Sequence, residues 1–177
     1  MKVSRTWAMP NKNTFSIPPI NALIMKYISK SKVWVDPFLG NSPFKSYCCN
    51  LTNDLNPEIE AQYHLDAVEF LSKLEDNVAD GVFFDPPYSP RQLAECYKNV
   101  GKTVTMFDTQ SRFWGDCRRE IARITKVGGI SISCGWNSVG ISKFHGFEIN
   151  EILLVCHGGQ HNDTIITIEE KKGYYLR

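Results

Sequence analysis

A Rossmann-like α/β fold, mostly parallel with one terminal reversal and helices on both faces, is predicted for this chain by three observations. Short β-rich runs alternate with segments of helical period, which implies a parallel sheet covered on both sides. The last two β-rich runs are joined by Gly158-Gly159-Gln160-His161-Asn162-Asp163, the residue types of a hairpin connection. A carboxylate recurs at successive predicted strand ends, where such sheets hold their ligands.

Element by element, Pro19 to Ser29 has helical period and Val33 to Phe38 reads as a buried strand. Cys48 to Asn53 and the short Tyr63 to Asp66 make the second and third strands, Ala67 to Leu74 a helix, and Gly81 to Phe84 the fourth strand. Arg91 to Asn99 is helical, and Ser111 to Thr125 more clearly so, because Phe113, Cys117, Ile121 and Ile124 share one face. Gly128-Gly129 is expected to stop that helix. Gly129 to Cys134, Phe147 to His157 and Thr164 to Glu169 complete a seven-stranded sheet. No repeat or linker divides the chain, so residues 1–177 are expected to form one domain.

Composition narrows the class further. The chain has 177 residues, of which 42% are apolar and 22% charged, the balance of an ordinary globular protein. With 20 basic and 19 acidic residues the net charge is +1, so any nucleic-acid-binding surface must be local. The six cysteines form no CxxC pair, and Cys48, Cys134 and Cys156 fall in apolar runs that suit buried free thiols in a reducing compartment. His64, His145, His157 and His161 lack ligand-like spacing, and no metal is expected. No leader-like apolar run opens the chain and none approaches a membrane span, so a soluble cytoplasmic protein is expected.

Asp36, Asp54, Asp66 and Asp85 each follow a predicted strand. Each alone would suit a helix cap or turn, but capping does not explain their recurrence at one topological position. The fourth opens Asp85-Pro86-Pro87-Tyr88, which assembles a pocket for a planar amino group. The lone pair of an aniline-like nitrogen is delocalised into its ring. If Asp85 accepts one N–H and the Pro86 carbonyl the other, the nitrogen is drawn toward a tetrahedral shape and its lone pair can meet an electrophilic methyl group. Two prolines fix the backbone there, and Tyr88 offers a stacking face.

The chain at this point resembles the S-adenosylmethionine-dependent DNA adenine-N6 methyltransferases of the small phage and prophage type. Asp85-Pro86-Pro87-Tyr88 is similar to their catalytic Asp-Pro-Pro-Tyr motif, and Asp36-Pro37-Phe38-Leu39-Gly40 to their Asp-Pro-Phe-x-Gly cofactor motif. Arg5 to Leu23, with Trp7 and Phe15, is similar to the segment that closes over the methionine part of the cofactor. The motif order is the gamma arrangement of that family. The resemblance implies a class I methyltransferase fold with S-adenosyl-L-methionine as cofactor. Asp36 and Gly40 would hold its methionine end, with Pro37 and Phe38 in the same loop, Asp54 its ribose and Asp66 its adenine. It also implies DNA as partner, in a bacterial or phage-infected cell, with a flipped adenine stacked on Tyr88 and gripped by Asp85 and the Pro86 carbonyl.

Two departures from the family pattern shape the expectation. The cofactor loop from Gly40 to Tyr47 has Ser42 and Pro43 where a second glycine and a full helix are usual. The residues after Tyr88 are largely taken up by the remaining elements, so no separate target-recognition domain is expected. Base reading would then fall to Arg91, Lys98 and Lys102, to the loop from Trp136 to Phe144 with Asn137, and to the tip from Gly158 to Asn162. A short or relaxed target site, or a dimer, is expected. The competing readings are N4-cytosine methylation, RNA methylation, and an inactive cofactor-binding or nucleic-acid-binding subunit.

Overall fold

The computed structural model describes residues 1–29, 32–102 and 112–173. Seven strands form one sheet: β1 (Lys2–Trp7), β2 (Trp34–Asp36), β3 (Cys49–Thr52), β4 (Ala79–Phe84), β5 (Thr125–Gly135), β6 (Phe147–Cys156) and β7 (Thr164–Lys171). Their spatial order is β1-β6-β7-β5-β4-β2-β3. Only β7 runs antiparallel to its neighbours, β5 and β6; every other pair is parallel. This is the expected Rossmann-like sheet with its closing reversal. Among the described residues four α-helices surround it: α1 (Pro18–Ile24), α2 (Ala67–Ser72), α3 (Pro90–Asn99) and α4 (Arg112–Ile124).

The sheet has a core on each face. Trp34, Phe83, Phe15 and Phe44 pack with α1 on one side, and Phe44 stacks on Phe83 at 5.7 Å between ring centroids. Val35, Val82 and Phe84 pack with α2, α3 and α4 on the other. Gly81 lies beside Trp34 in the β2–β4 register, and a Cβ there would stand 2.5 Å from the indole ring. Glycine is thus required where the fully buried tryptophan crosses β4. At the foot of α4, the buried Lys171 ammonium donates to the Ala122 and Thr125 carbonyls at 2.7 and 2.6 Å, satisfying backbone acceptors at that helix end.

Three expectations are corrected. Tyr63 to Asp66 does not form a strand; it contributes a single bridge, Asn53 with Tyr63. The seventh strand is instead β1, paired in parallel with β6. Gly128-Gly129 does not end α4, which stops at Ile124. The pair lies inside β5, where the register with β4 slips between Ala79–Thr125 and Gly81–Ile130. Gly128 takes φ +81° in that bulge, and a Cβ on Gly129 would meet the Thr125 side chain at 2.7 Å.

The parallel crossover from β5 to β6, residues 136–146, contains no α-helix and only a 3-10 turn at Lys143–His145. All six cysteines are free, but Cys156 is only half-buried. No helix among the described residues is long and apolar enough to cross a membrane.

Candidate functional site

The carboxyl ends of β2, β3 and β4 border a cavity of about 550 Å³, within the range of small-molecule sites. Asp54, Asp66 and Asp85 all line it, together with Phe38, Gly40 and Tyr97. Three of the four sequence-predicted carboxylates therefore share one space, and the fourth, Asp36, is fully buried next to it.

Asp36 ends β2, and its Oδ1 accepts the Phe38 N–H at 3.1 Å, which folds Pro37 and Phe38 over the strand end. Its Oδ2 is buried with no partner. Burial pushes the carboxyl up to about 8; the Phe38 N–H opposes the shift, while the negative fields of Asp85 and Asp54 add to it. An orphaned acceptor of this kind is costly unless a donor arrives. Asp54 accepts the Gly40 N–H at 2.7 Å and the Asn56 N–H at 2.8 Å, so it braces the glycine loop against β3. Gly40 meets this bond with φ +48°. Asp66 caps α2 by accepting the Val68 N–H at 2.9 Å, and its other oxygen accepts from the Tyr97 hydroxyl.

Asp85 is the first residue beyond β4. Its Oδ1 accepts the Tyr88 hydroxyl at 2.5 Å, and the Thr14 hydroxyl lies 3.4 Å from the Tyr88 oxygen. Burial nevertheless pushes the Asp85 carboxyl up to about 6, against the hydroxyls of Tyr88 and, nearby, Thr14. Burial and the adjacent Asp85 hold the Tyr88 phenol well above its ordinary value. The loop is fixed from three sides. Trp114 Nε1 donates to the Pro87 carbonyl at 2.9 Å, Gln92 Oε1 accepts the Tyr88 N–H at 2.7 Å, and Ser89 caps α3. Among the described residues no donor reaches the Pro86 carbonyl, so it remains available as an acceptor beside Asp85.

A second, smaller hollow of about 50 Å³ opens on the far side of Tyr88, between Trp114, Arg118, Trp136 and Asn137. Tyr88 and Trp136 meet edge to face with centroids 5.7 Å apart. A third, of about 70 Å³, lies over the loop 39–43, lined by Phe15, Thr14, Gly40 and Asp85.

The structure thus gathers Asp85, Pro86, Pro87, Tyr88, Pro37, Phe38, Gly40, Asp54 and Asp66 around one cavity, with Phe15 at its neighbour. Trp7 is elsewhere: it is 62% exposed at the end of the outermost strand, four strand positions or roughly 19 Å from β4. Arg91 is exposed and paired with Glu95 at 3.0 Å on α3. Lys98 and Lys102 are exposed at the other end of that helix. Asn137 borders the small hollow, but its Oδ1 is engaged by the Val139 N–H at 3.0 Å.

Sequence reasoning missed Thr14 and Trp114, and named Trp136 only as the start of a candidate base-reading loop. Trp136 carried a signal, an aromatic residue directly after a strand that flanks β4; Thr14 and Trp114 reach the site only through tertiary packing. Ser89-x-x-Gln92 has the spacing of a helix-start box. Among the described residues no cluster of His, Cys, Asp or Glu is arranged to hold a metal ion.

With this geometry in hand, comparison with solved structures gives methyltransferase folds. The chain is similar to TrmN from Thermus thermophilus, at 16% identity and a TM-score of 0.58 over 88% of this chain and 49% of that one. It is also similar to the 1,6-didemethyltoxoflavin-N1-methyltransferase of Burkholderia thailandensis, a structure with bound S-adenosylhomocysteine, at 10% identity and a TM-score of 0.57 over 88% of this chain and 76% of that one. NSun6 from Pyrococcus horikoshii, with SFG, matches at 11% identity and a TM-score of 0.55 over 82% and 49%. The chain spans about half the length of TrmN and of NSun6. No protein-family model matches the chain, and a comparison with curated proteins gives no match. At these identities the likeness establishes the fold; the chemistry rests on the site.

Proposed function

We propose that this chain is an S-adenosylmethionine-dependent methyltransferase that modifies an exocyclic amino group of a nucleobase, with adenine N6 in DNA as the substrate. The observation that carries the proposal is the pairing of a half-buried carboxylate, Asp85, with the unpaired Pro86 carbonyl beside the Tyr88 ring, at the edge of the 550 Å³ cavity. The cavity fits the cofactor on its own terms. The partnerless Asp36 Oδ2 suits a cationic donor such as the cofactor's ammonium group, and the methyltransferase relatives named above share the surrounding fold. When bound, S-adenosylmethionine supplies an electrophilic methyl group on a sulfonium.

The chain's own residues would do the rest. Asp36 and the Gly40 loop, braced by Asp54, would hold the methionine end; Asp66 and Tyr97 border the end of the cavity assigned to the adenine. Asp85 and the Pro86 carbonyl would take the two N–H bonds of the flipped base, leaving its nitrogen lone pair free to attack. For that, the Tyr88 hydroxyl must leave Asp85, which it occupies in this structure. Rotation of that ring opens the hollow toward Trp136 and presents a stacking face.

The test is transfer of labelled methyl from S-adenosylmethionine to duplex DNA, single-stranded DNA, RNA and protein, run beside Asp85→Ala. Adenine-N6 label that disappears in Asp85→Ala, with cofactor binding intact, is the expected result. N4-methylcytosine as product would overturn the adenine assignment, and label in RNA alone the DNA assignment. Cofactor binding with no transfer to any substrate would overturn the enzyme reading.

A further inference from the structure

The crossover 136–146 connects parallel strands without a helix, so its backbone polar groups need partners from elsewhere. Glu169, on β7 and fully buried, supplies two of them. Its Oε2 accepts the Ile141 N–H at 2.6 Å and its Oε1 the Ser142 N–H at 3.0 Å. From the opposite side Arg118 Nε donates to the Gly140 carbonyl at 2.8 Å, while its guanidinium lies 6.0 Å from the centre of the Phe84 ring. The segment between these anchors is held in unusual backbone conformations: Gly140 has φ +56° and Ser142, though not glycine, φ +86°. A Cβ on Gly140 would stand 2.1 Å from the Glu169 carboxylate, so the close approach requires glycine. A carboxylate taken this deep and spent on two loop amides exceeds what closing a surface connection needs.

The anchored residues adjoin the hollow beyond Tyr88. Gly140 and Arg118 line it together with Trp136 and Asn137. Asn137 turns the chain by accepting the Val139 N–H at 3.0 Å, so few residues separate the clamp from the tryptophan that meets Tyr88.

We propose that Glu169 is a positioning residue: by holding Ile141 and Ser142, with Arg118 holding Gly140, it sets where Trp136 stands opposite Tyr88. The inference rests on reading that hollow as the seat of the target base. Glu169 lines neither the 550 Å³ cavity nor the hollow beyond Tyr88; it acts through the crossover.

The test has a readout that does not depend on activity. The chain has four tryptophans, and incorporation of 5-fluorotryptophan gives each a ¹⁹F signal, Trp136 being assigned with Trp136→Phe. Glu169→Ala is expected to shift or broaden the Trp136 signal while leaving those of Trp7 and Trp34 in place. Glu169→Gln, which keeps one acceptor, should give a smaller change in the same signal. A Trp136 signal that does not move would overturn the proposal. So would equal movement of all the signals, since that marks a general structural role. In the transfer assay Glu169→Ala should lower kcat/KM for nucleic acid by on the order of ten- to a hundredfold, with the dissociation constant for S-adenosylmethionine unchanged. A wild-type chain that transfers no methyl would defeat the proposed function, while the fluorine spectra would still decide the positioning role.

Discussion

Asp36 and Asp85 are the same residue type at equivalent strand ends, yet their surroundings give them different tasks. Asp85 has the Tyr88 hydroxyl as partner and rises to about 6; Asp36 has one backbone partner and an orphaned oxygen, and rises to about 8. If Asp85 accepts from the target amino group it must be ionised. Transfer measured across pH should therefore climb with a midpoint near 6, well above the ordinary aspartate value of 3.8. For stability the sign is opposite. A carboxyl raised in the folded state keeps its proton while the unfolded chain loses it, so stability is fully present below about 3.8 and is lost as pH rises toward 8. Asp36→Asn removes that loss. We expect thermal melts to show the variant more stable than the parent by about 1–3 kcal/mol at pH 8, with the gap closing toward pH 4, and its affinity for S-adenosylmethionine reduced. A gap that widened on acidification would contradict the burial argument.

At the scale of elements, the buried strands were legible and the exposed β1 was not. β2 and β4 are covered on both faces, so they read as continuous apolar runs. β1 is an edge strand of mixed polarity, Lys2-Val3-Ser4-Arg5-Thr6-Trp7, mostly exposed, and shows no hydrophobic face by which to recognise it. The reverse error, a strand expected at Tyr63 to Asp66, came from a short run whose backbone is satisfied by the Asn53 side chain instead of a ladder: Asn53 bonds both the Leu65 N–H and carbonyl. Gly128-Gly129 misled because a glycine pair marks a bulge as readily as a helix stop. Gly81, by contrast, has a clear steric duty. Gly81→Ala should lower stability by about 1–3 kcal/mol, a fall of several degrees in Tm, because the added methyl would enter the Trp34 ring's space. An unchanged melting temperature would mean that the β2–β4 contact yields easily.

Across the whole molecule, the sequence carried the motifs but not the walls. Asp85 to Tyr88 and Asp36 to Gly40 were legible because local chemistry defines them. Thr14, Trp114 and the contact of Trp136 with Tyr88 were not, because these residues meet Tyr88 and its loop only after β1, α1, α4 and the crossover have packed. Trp7 shows the converse: nearness in sequence to Phe15 did not carry it to the cavity, since β1 runs along the opposite edge of the sheet. Removing residues 1–7 would leave β6 as an unpaired edge, and we expect light scattering after size-exclusion chromatography to show association of a chain that is otherwise better behaved. Unchanged elution would show that β1 does not protect that edge.

The pairing of β1 with β6 also sets an order of events during synthesis on the ribosome. Arg5 and Cys156, which hydrogen-bond at 3.1 Å, are separated by 151 residues. At typical translation rates the first strand waits on the order of 10–30 s for its partner to emerge. Because α1 also packs against β6, the segment that brings Thr14 against Tyr88 is seated late, and the nascent chain carries Asp85 and Tyr88 uncovered until the hairpin of β6 and β7 is made.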